Sequence, residues 1–159
     1  MTQRLNASQT SPEPFRKMVE LSMQVKKGSL DAGLLHLTDI RASQINGCGF
    51  CLDMHVKQAR LHGEGELRLH HVAVWRESPL FDARERAALA WTELLTTLPP
   101  QGVPAADYEA ARAQFSGKEL VDLTHAVMAI NAWNRLNVAF RTLPGSADKA
   151  YGLDKAQFA

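Results

Sequence analysis

The sequence predicts an all-α protein, a single-domain bundle of six or seven helices, and three observations predict it. Helix start and stop signals recur along the chain, apolar residues return at helical spacing between them, and the strict alternation of half-buried strands is missing. At 159 residues, with 45% hydrophobic and 22% charged residues, the chain is long enough for one real core and too apolar for disorder. A formal net charge of +1 gives no electrostatic case for nucleic acid or for an anionic membrane. No apolar run is long enough to span a bilayer, and the polar stretch from Met1 to Pro14 carries no export signal. The expected compartment is therefore the reducing cytoplasm, where a pair of cysteines is usually catalytic or metal-binding.

Ser11-Pro12 can cap and open a first helix reaching about Lys27, with Gly28 closing it. A second starts near Ser29, carries Leu30, Leu34, Leu37 and Ile40 at helical spacing, and ends by Ile45 at the Asn46-Gly47 break. A third follows to about Gly63, and a short piece covers Leu67 to Val72. Trp75 to Pro79 reads as an irregular turn. Asp82-Ala83-Arg84-Glu85 is a capping box opening a long helix with Leu89, Trp91 and Leu94, ended by Pro99-Pro100. Pro104 begins a modest helix through Phe115. Ser116-Gly117-Lys118-Glu119 is a second capping box, and behind it runs the most apolar helix, Leu120 to about Phe140, stopped by Pro144-Gly145. Residues 1–10 and 146–159 are expected as loose or interface-docked ends.

Chemistry is concentrated where the third helix begins. Cys48, Cys51 and His55 would share one arc of its face, with both cysteines in the first turn, where unpaired amides and the helix dipole favour a thiolate. Residues three apart on a helix hold their Cβ atoms ~5–6 Å apart, slightly beyond disulfide range, so a modest adjustment lets the pair close. His55, one turn on, can take a proton from the Cys51 thiol directly or through a water.

The run Ile40-Arg41-Ala42-Ser43-Gln44-Ile45-Asn46-Gly47-Cys48, followed by Phe50-Cys51-Leu52-Asp53-Met54-His55, resembles the active-site signature of the alkylhydroperoxidase D-like branch of the carboxymuconolactone decarboxylase family. The similarity continues through Trp75-Arg76-Glu77-Ser78, Glu85 to Glu93 and Asn131 to Leu136. The resemblance implies an all-helical fold assembled as trimers or hexamers, and thiol-dependent reduction of hydroperoxides. It implies that Cys51 attacks the peroxide and becomes a sulfenic acid, that Cys48 resolves it to a disulfide, and that His55 belongs to the proton relay. An external dithiol, such as a lipoyl group, reopens the bond, and no bound cofactor is required. The family pattern places a glutamate twelve positions before the first cysteine, where this chain has His36. His36 shares a face with Ile40, Ser43 and Gly47 and could point towards the thiols as a second base, which predicts an acid limb in the histidine range. Glu85 or Glu93 is the alternative source of a carboxylate.

Rival readings attach to the same residues. The cysteines could be small buried hydrophobes. Cys48, Cys51, His55 and His36 form a nominal Cys₂His₂ zinc set, although positions seven apart on one helix lie ~10 Å apart along its axis and strain a tetrahedral site. Attached haem is excluded because Leu52 follows Cys51. A thiol-disulfide exchanger or redox sensor would use the pair without a peroxide site, whereas lactone decarboxylation, the other activity of the wider family, gives no reason for the cysteines. His62, His70, His71 and His125 read as structural or solvated. The three tryptophans read as core, Asn131 and Asn134 as a structural tie on a face shared with Val127 and Val138, and Asp53 with Lys57 as a solvated ion pair of little energy.

Overall fold

In the computed structural model, which describes residues 2–156, the fold is helical throughout. The described residues form nine α-helices: α1 (Ala7–Thr10), α2 (Pro12–Val25), α3 (Ala32–Ile45), α4 (Gly49–Leu61), α5 (Glu66–His71), α6 (Ala83–Thr97), α7 (Ala105–Arg112), α8 (Gly117–Phe140) and α9 (Asp148–Tyr151). Two 3₁₀ turns, Val72–Val74 and Leu153–Lys155, complete them. The two helices beyond the expected number, α1 and α9, are four residues each and too short to show a period.

Both capping boxes form as expected, at Asp82 with Glu85 and at Ser116 with Glu119. The second helix begins later than Ser29, because Asp31 is its cap and accepts from Leu34 N at 2.8 Å. Ser29 is drawn elsewhere: its N and Oγ both donate to Asp122 on α8, at 3.0 and 2.6 Å.

Helix α3 is the axis of the bundle. Its buried set, Leu34, Leu35, His36, Leu37, Thr38, Ile40, Ala42 and Ser43, runs nearly all round the helix, as befits a helix packed on several sides. One flank lies against Trp91, Phe115, Leu123 and Val127 of α6 to α8. Another lies against Leu69, Val72, Trp75, Phe81 and Leu89. Ala42 joins Cys48, Cys51 and Ile130 in a third apolar group, so the cysteines are anchored between α3 and α8.

Half-buried charge fixes the irregular turn. Arg86 donates to the carbonyls of Trp75, Arg76 and Ser78, and Glu93 accepts from Arg41 Nε at 2.6 Å, Trp75 Nε1 at 2.9 Å and Arg76. Glu85 pairs with Arg68 at 2.5 Å. Neither glutamate is free to serve the cysteines, which corrects that expectation.

Over the described residues both ends make contact with the body of the chain. Arg4 N donates to Phe140 O at 2.9 Å, and Leu153 is buried. Residues 157–159 of the expected loose tail, and Met1, lie outside the described residues. Lys57 is more than the solvated partner of Asp53: largely buried, it bridges Asp53 at 2.8 Å and Asp148 at 2.7 Å, while Asp53 also accepts from Gly145 N at 2.9 Å. Lys57→Met leaves two carboxylates unpaired beside the turn that starts the C-terminal segment. We expect limited proteolysis to cut near residues 143–148 several-fold faster in that variant, and equal cleavage rates would show the bridge to be dispensable.

Candidate active site

The site is built from the top of α4 upward. Gly47 takes φ +64°, a conformation natural to glycine, and turns the chain out of α3. Asn46, just before it, is held from α8: its Nδ2 donates to Asn131 Oδ1 at 3.0 Å and to Asn134 Oδ1 at 2.9 Å. Asn134 donates in turn to Ser43 Oγ at 3.1 Å, and Asn131 to Thr96 Oγ1 at 3.0 Å. The two asparagines thus tie α8 to the turn that delivers the cysteines. Val138, expected on their face, is exposed.

Cys48 is the N-cap of α4 rather than a member of its first turn, and its Sγ accepts from Cys51 N at 3.3 Å. Cys51 follows in the first turn. The two are joined as a disulfide, with Cα atoms 5.4 Å apart, and both are buried. This sulfur pairing leaves no Cys₂His₂ set. Asn137 of α8 places its Nδ2 3.6 Å from Cys51 Sγ, a donor that the sequence reading missed.

Cys51 opens onto a cavity of about 440 Å³. Phe15, Met23, Phe50, Met54 and Trp133 supply much of its apolar wall, and Lys26, Asp39, His55 and Gln58 its polar end. Trp133 is fixed there by Nε1 donating to Ser22 Oγ at 2.8 Å and by an edge-on contact with Phe15. Cys48 is not among the lining residues.

His55 stands beside Cys51 on α4, with Nδ1 3.0 Å from Gln58 Oε1 and 3.3 Å from Asp39 Oδ2. Two oxygens facing Nδ1 favour the tautomer that carries its hydrogen there and leaves the Nε2 lone pair as the base. Asp39 is the carboxylate the sequence reading sought in Glu85 or Glu93. It lies one turn after His36 on α3.

His36 lines a different, smaller cleft of about 280 Å³, with Ala59, His62 and Glu64. Its Nε2 is 3.2 Å from His62 Nδ1, and its Nδ1 is buried with no hydrogen-bond partner. It does not line the cysteine cavity, but one ligating atom from each of His36, Asp39 and His55 lies within 4.8 Å of the other two. Burial is the largest influence on all three. It pushes the Asp39 carboxyl up to about 7 and both imidazoles down to about 4, helped for His36 by the neighbouring His55, His62 and Lys26 and for His55 by Lys26. The histidines therefore stay neutral well below the ordinary histidine range, and the acid limb expected from them moves down accordingly.

A model of the carboxymuconolactone decarboxylase family matches residues 12–94, which span α2 to α6 and contain both cysteines, His36, Asp39 and His55. This chain belongs to the carboxymuconolactone decarboxylase family. The uncharacterized protein YdfG of Bacillus subtilis is 35% identical over 139 residues, covering 87% of this chain and 95% of that one. Among solved structures, a protein of unknown function from Agrobacterium tumefaciens, described as a candidate antioxidant defence protein AhpD, is 42% identical with a TM-score of 0.87, covering 90% of this chain and 98% of that one. The debrominase Bmp8 is 17% identical with a TM-score of 0.77, covering 93% and 79%, a likeness of fold alone. Alkylhydroperoxidase D-like architecture is thus the setting of the cysteine pair, and since one fold hosts several chemistries, the reaction has to be argued from the site.

Proposed function

We propose that this protein is a thiol peroxidase of the antioxidant type, with Cys51 as nucleophile, Cys48 as resolving thiol, and His55 as the base steadied by Asp39. The observation that carries the reading is the Cys48–Cys51 disulfide at the head of α4, with Cys51 and His55 together on the wall of one largely apolar cavity. The His55 lone pair takes the Cys51 proton, and the thiolate attacks the peroxide. As the S–O bond forms, the O–O bond breaks, and the leaving alkoxide recovers the proton from the imidazolium to depart as an alcohol. Cys48 then attacks the Cys51 sulfenic acid: the S–S bond forms, the S–O bond breaks, and water leaves. An external dithiol reopens the disulfide and is itself oxidised to a disulfide. His36 borders this relay, with one ring nitrogen within 4.8 Å of a ligating atom on Asp39 and on His55.

Position supports this division of roles. Cys51 faces the cavity and meets the peroxide, whereas Cys48, an N-cap whose Sγ accepts from the Cys51 amide, gains thiolate character that suits a resolving thiol. Burial of both sulfurs favours a slender reductant such as a lipoyl arm over a folded protein thiol. The apolar wall suits an organic hydroperoxide. Assembly as a trimer or hexamer, working in the cytoplasm, completes the proposal; among the described residues no helix is long and apolar enough to cross a membrane.

Intact-mass measurement tests the cycle. Reduced protein given one equivalent of hydroperoxide is expected to lose two hydrogen atoms and to regain them with a dithiol. A stoichiometric response without repeated turnover under excess dithiol would favour the redox-sensor reading instead.

A further inference from the structure

We propose that His36, Asp39 and His55 form a binding site for a divalent transition-metal cation of the zinc class. His36 and Asp39 lie one turn apart on α3, the spacing at which metal-holding helix bundles pair a carboxylate with a histidine, and His55 faces them from α4. Metal–ligand bonds of ~2.0–2.1 Å set tetrahedral donors roughly 3.3–3.4 Å apart. Asp39 Oδ2 and His55 Nδ1 are already 3.3 Å apart, and one donor atom from each of the three residues lies within 4.8 Å of the other two, so a small shift of the His36 ring that keeps Nε2 on His62 closes the set.

The independent sign is His36 Nδ1, a buried ring nitrogen without a partner on a residue only 6% exposed. Leaving such an atom unsatisfied is costly, and a cation satisfies it. Coordination there puts the ring hydrogen on Nε2, directed at His62 Nδ1, the outer support a metal-bound histidine requires. His62 then gives up its hydrogen bond to the Gln58 carbonyl, now 2.8 Å. Neutral imidazoles are the binding form, and a buried carboxylate gains most from a countercharge. Two histidines and one carboxylate suit zinc, cobalt or iron and leave further positions open towards the cysteine cavity. Given the proposed reading of His55 as base, a cation on its ring would stop peroxide turnover.

The test uses the full chain oxidised to the Cys48–Cys51 disulfide, so that no thiolate can bind metal. Cobalt(II) is titrated by calorimetry and visible absorption, then displaced with zinc(II). The expected result is one cobalt per chain, without sulfur-to-cobalt charge transfer, with affinity at least about tenfold lower in both His36→Gln and Asp39→Asn and unchanged in His70→Gln. Absence of binding, or equal affinity in His36→Gln, overturns the site. Should His36→Gln fail to fold, the comparison rests on Asp39→Asn: zinc must raise the melting temperature of the unsubstituted chain and not that of the variant, and an equal rise overturns the site. None of these measurements involves peroxide, so a chain that binds cobalt yet fails to turn over peroxide defeats only the peroxidase reading.

Discussion

Peroxide consumption by Cys51→Ser is expected to fall to the uncatalysed background, a loss of at least about 10³-fold, because deleting a covalent nucleophile removes the step on which the others depend. Serine keeps the shape of the side chain, and the fold has little reason to change, since Cys51 sits in a small apolar group with Ala42, Cys48 and Ile130. Cys48→Ser should differ in kind. The first turnover survives and stops at a sulfenic acid on Cys51, visible as the gain of one oxygen atom in intact mass and trappable by a carbon nucleophile. The contrast between the two variants carries the assignment, because Cys48 as N-cap has its own claim to thiolate character. Trapping of the sulfenic acid on Cys48 in the Cys51→Ser protein, with turnover retained, would reverse the roles and place the peroxide outside the cavity that Cys51 faces.

What could be read from the chain was whatever is decided within one turn of helix. Asp82 with Glu85 and Ser116 with Glu119 are local devices, and both formed. The asparagines of the most apolar helix were legible as a tie because a buried amide needs a partner, although only the fold supplies Asn46 as that partner. Long-range choices were not legible. Ser29 is an adequate cap in isolation, but Asp122 on a distant helix claims it and the helix begins at Asp31 instead. Glu85 and Glu93 were reasonable candidates for a catalytic carboxylate until Arg68, Arg41 and Arg76 are seen to hold them. Asp39 was overlooked for the same reason: nothing in Leu37-Thr38-Asp39-Ile40 reveals that α4 will set His55 against it. The sharing of a face by His36 and the residues leading to Gly47 was correctly periodic, yet which cavity that face looks into depends on where α4 crosses α3, and His36 came to rest beside His62.

Asn134→Ala is expected to destabilise the protein by about 2–4 kcal/mol, read as a lower denaturant midpoint with an unchanged slope. Asn134 is fully buried, and it accepts from Asn46 Nδ2 while donating to Ser43 Oγ. Truncation removes an acceptor from half-buried Asn46 and a donor from buried Ser43, and leaves a void beside α3. Asn134→Leu fills much of that void but lacks the same two hydrogen bonds, so the difference between the variants separates packing from hydrogen bonding. Asn137→Ala, on the same helix yet only partly buried, should cost far less stability and act instead on Cys51, whose sulfur lies 3.6 Å from its amide. Val121→Ala, at an exposed position of α8, should change stability by less than about 0.5 kcal/mol. An Asn134→Ala midpoint within error of the parent would mean that Asn46 is held by other means, and the geometry of the Cys48 turn would then need another explanation than this three-way amide contact.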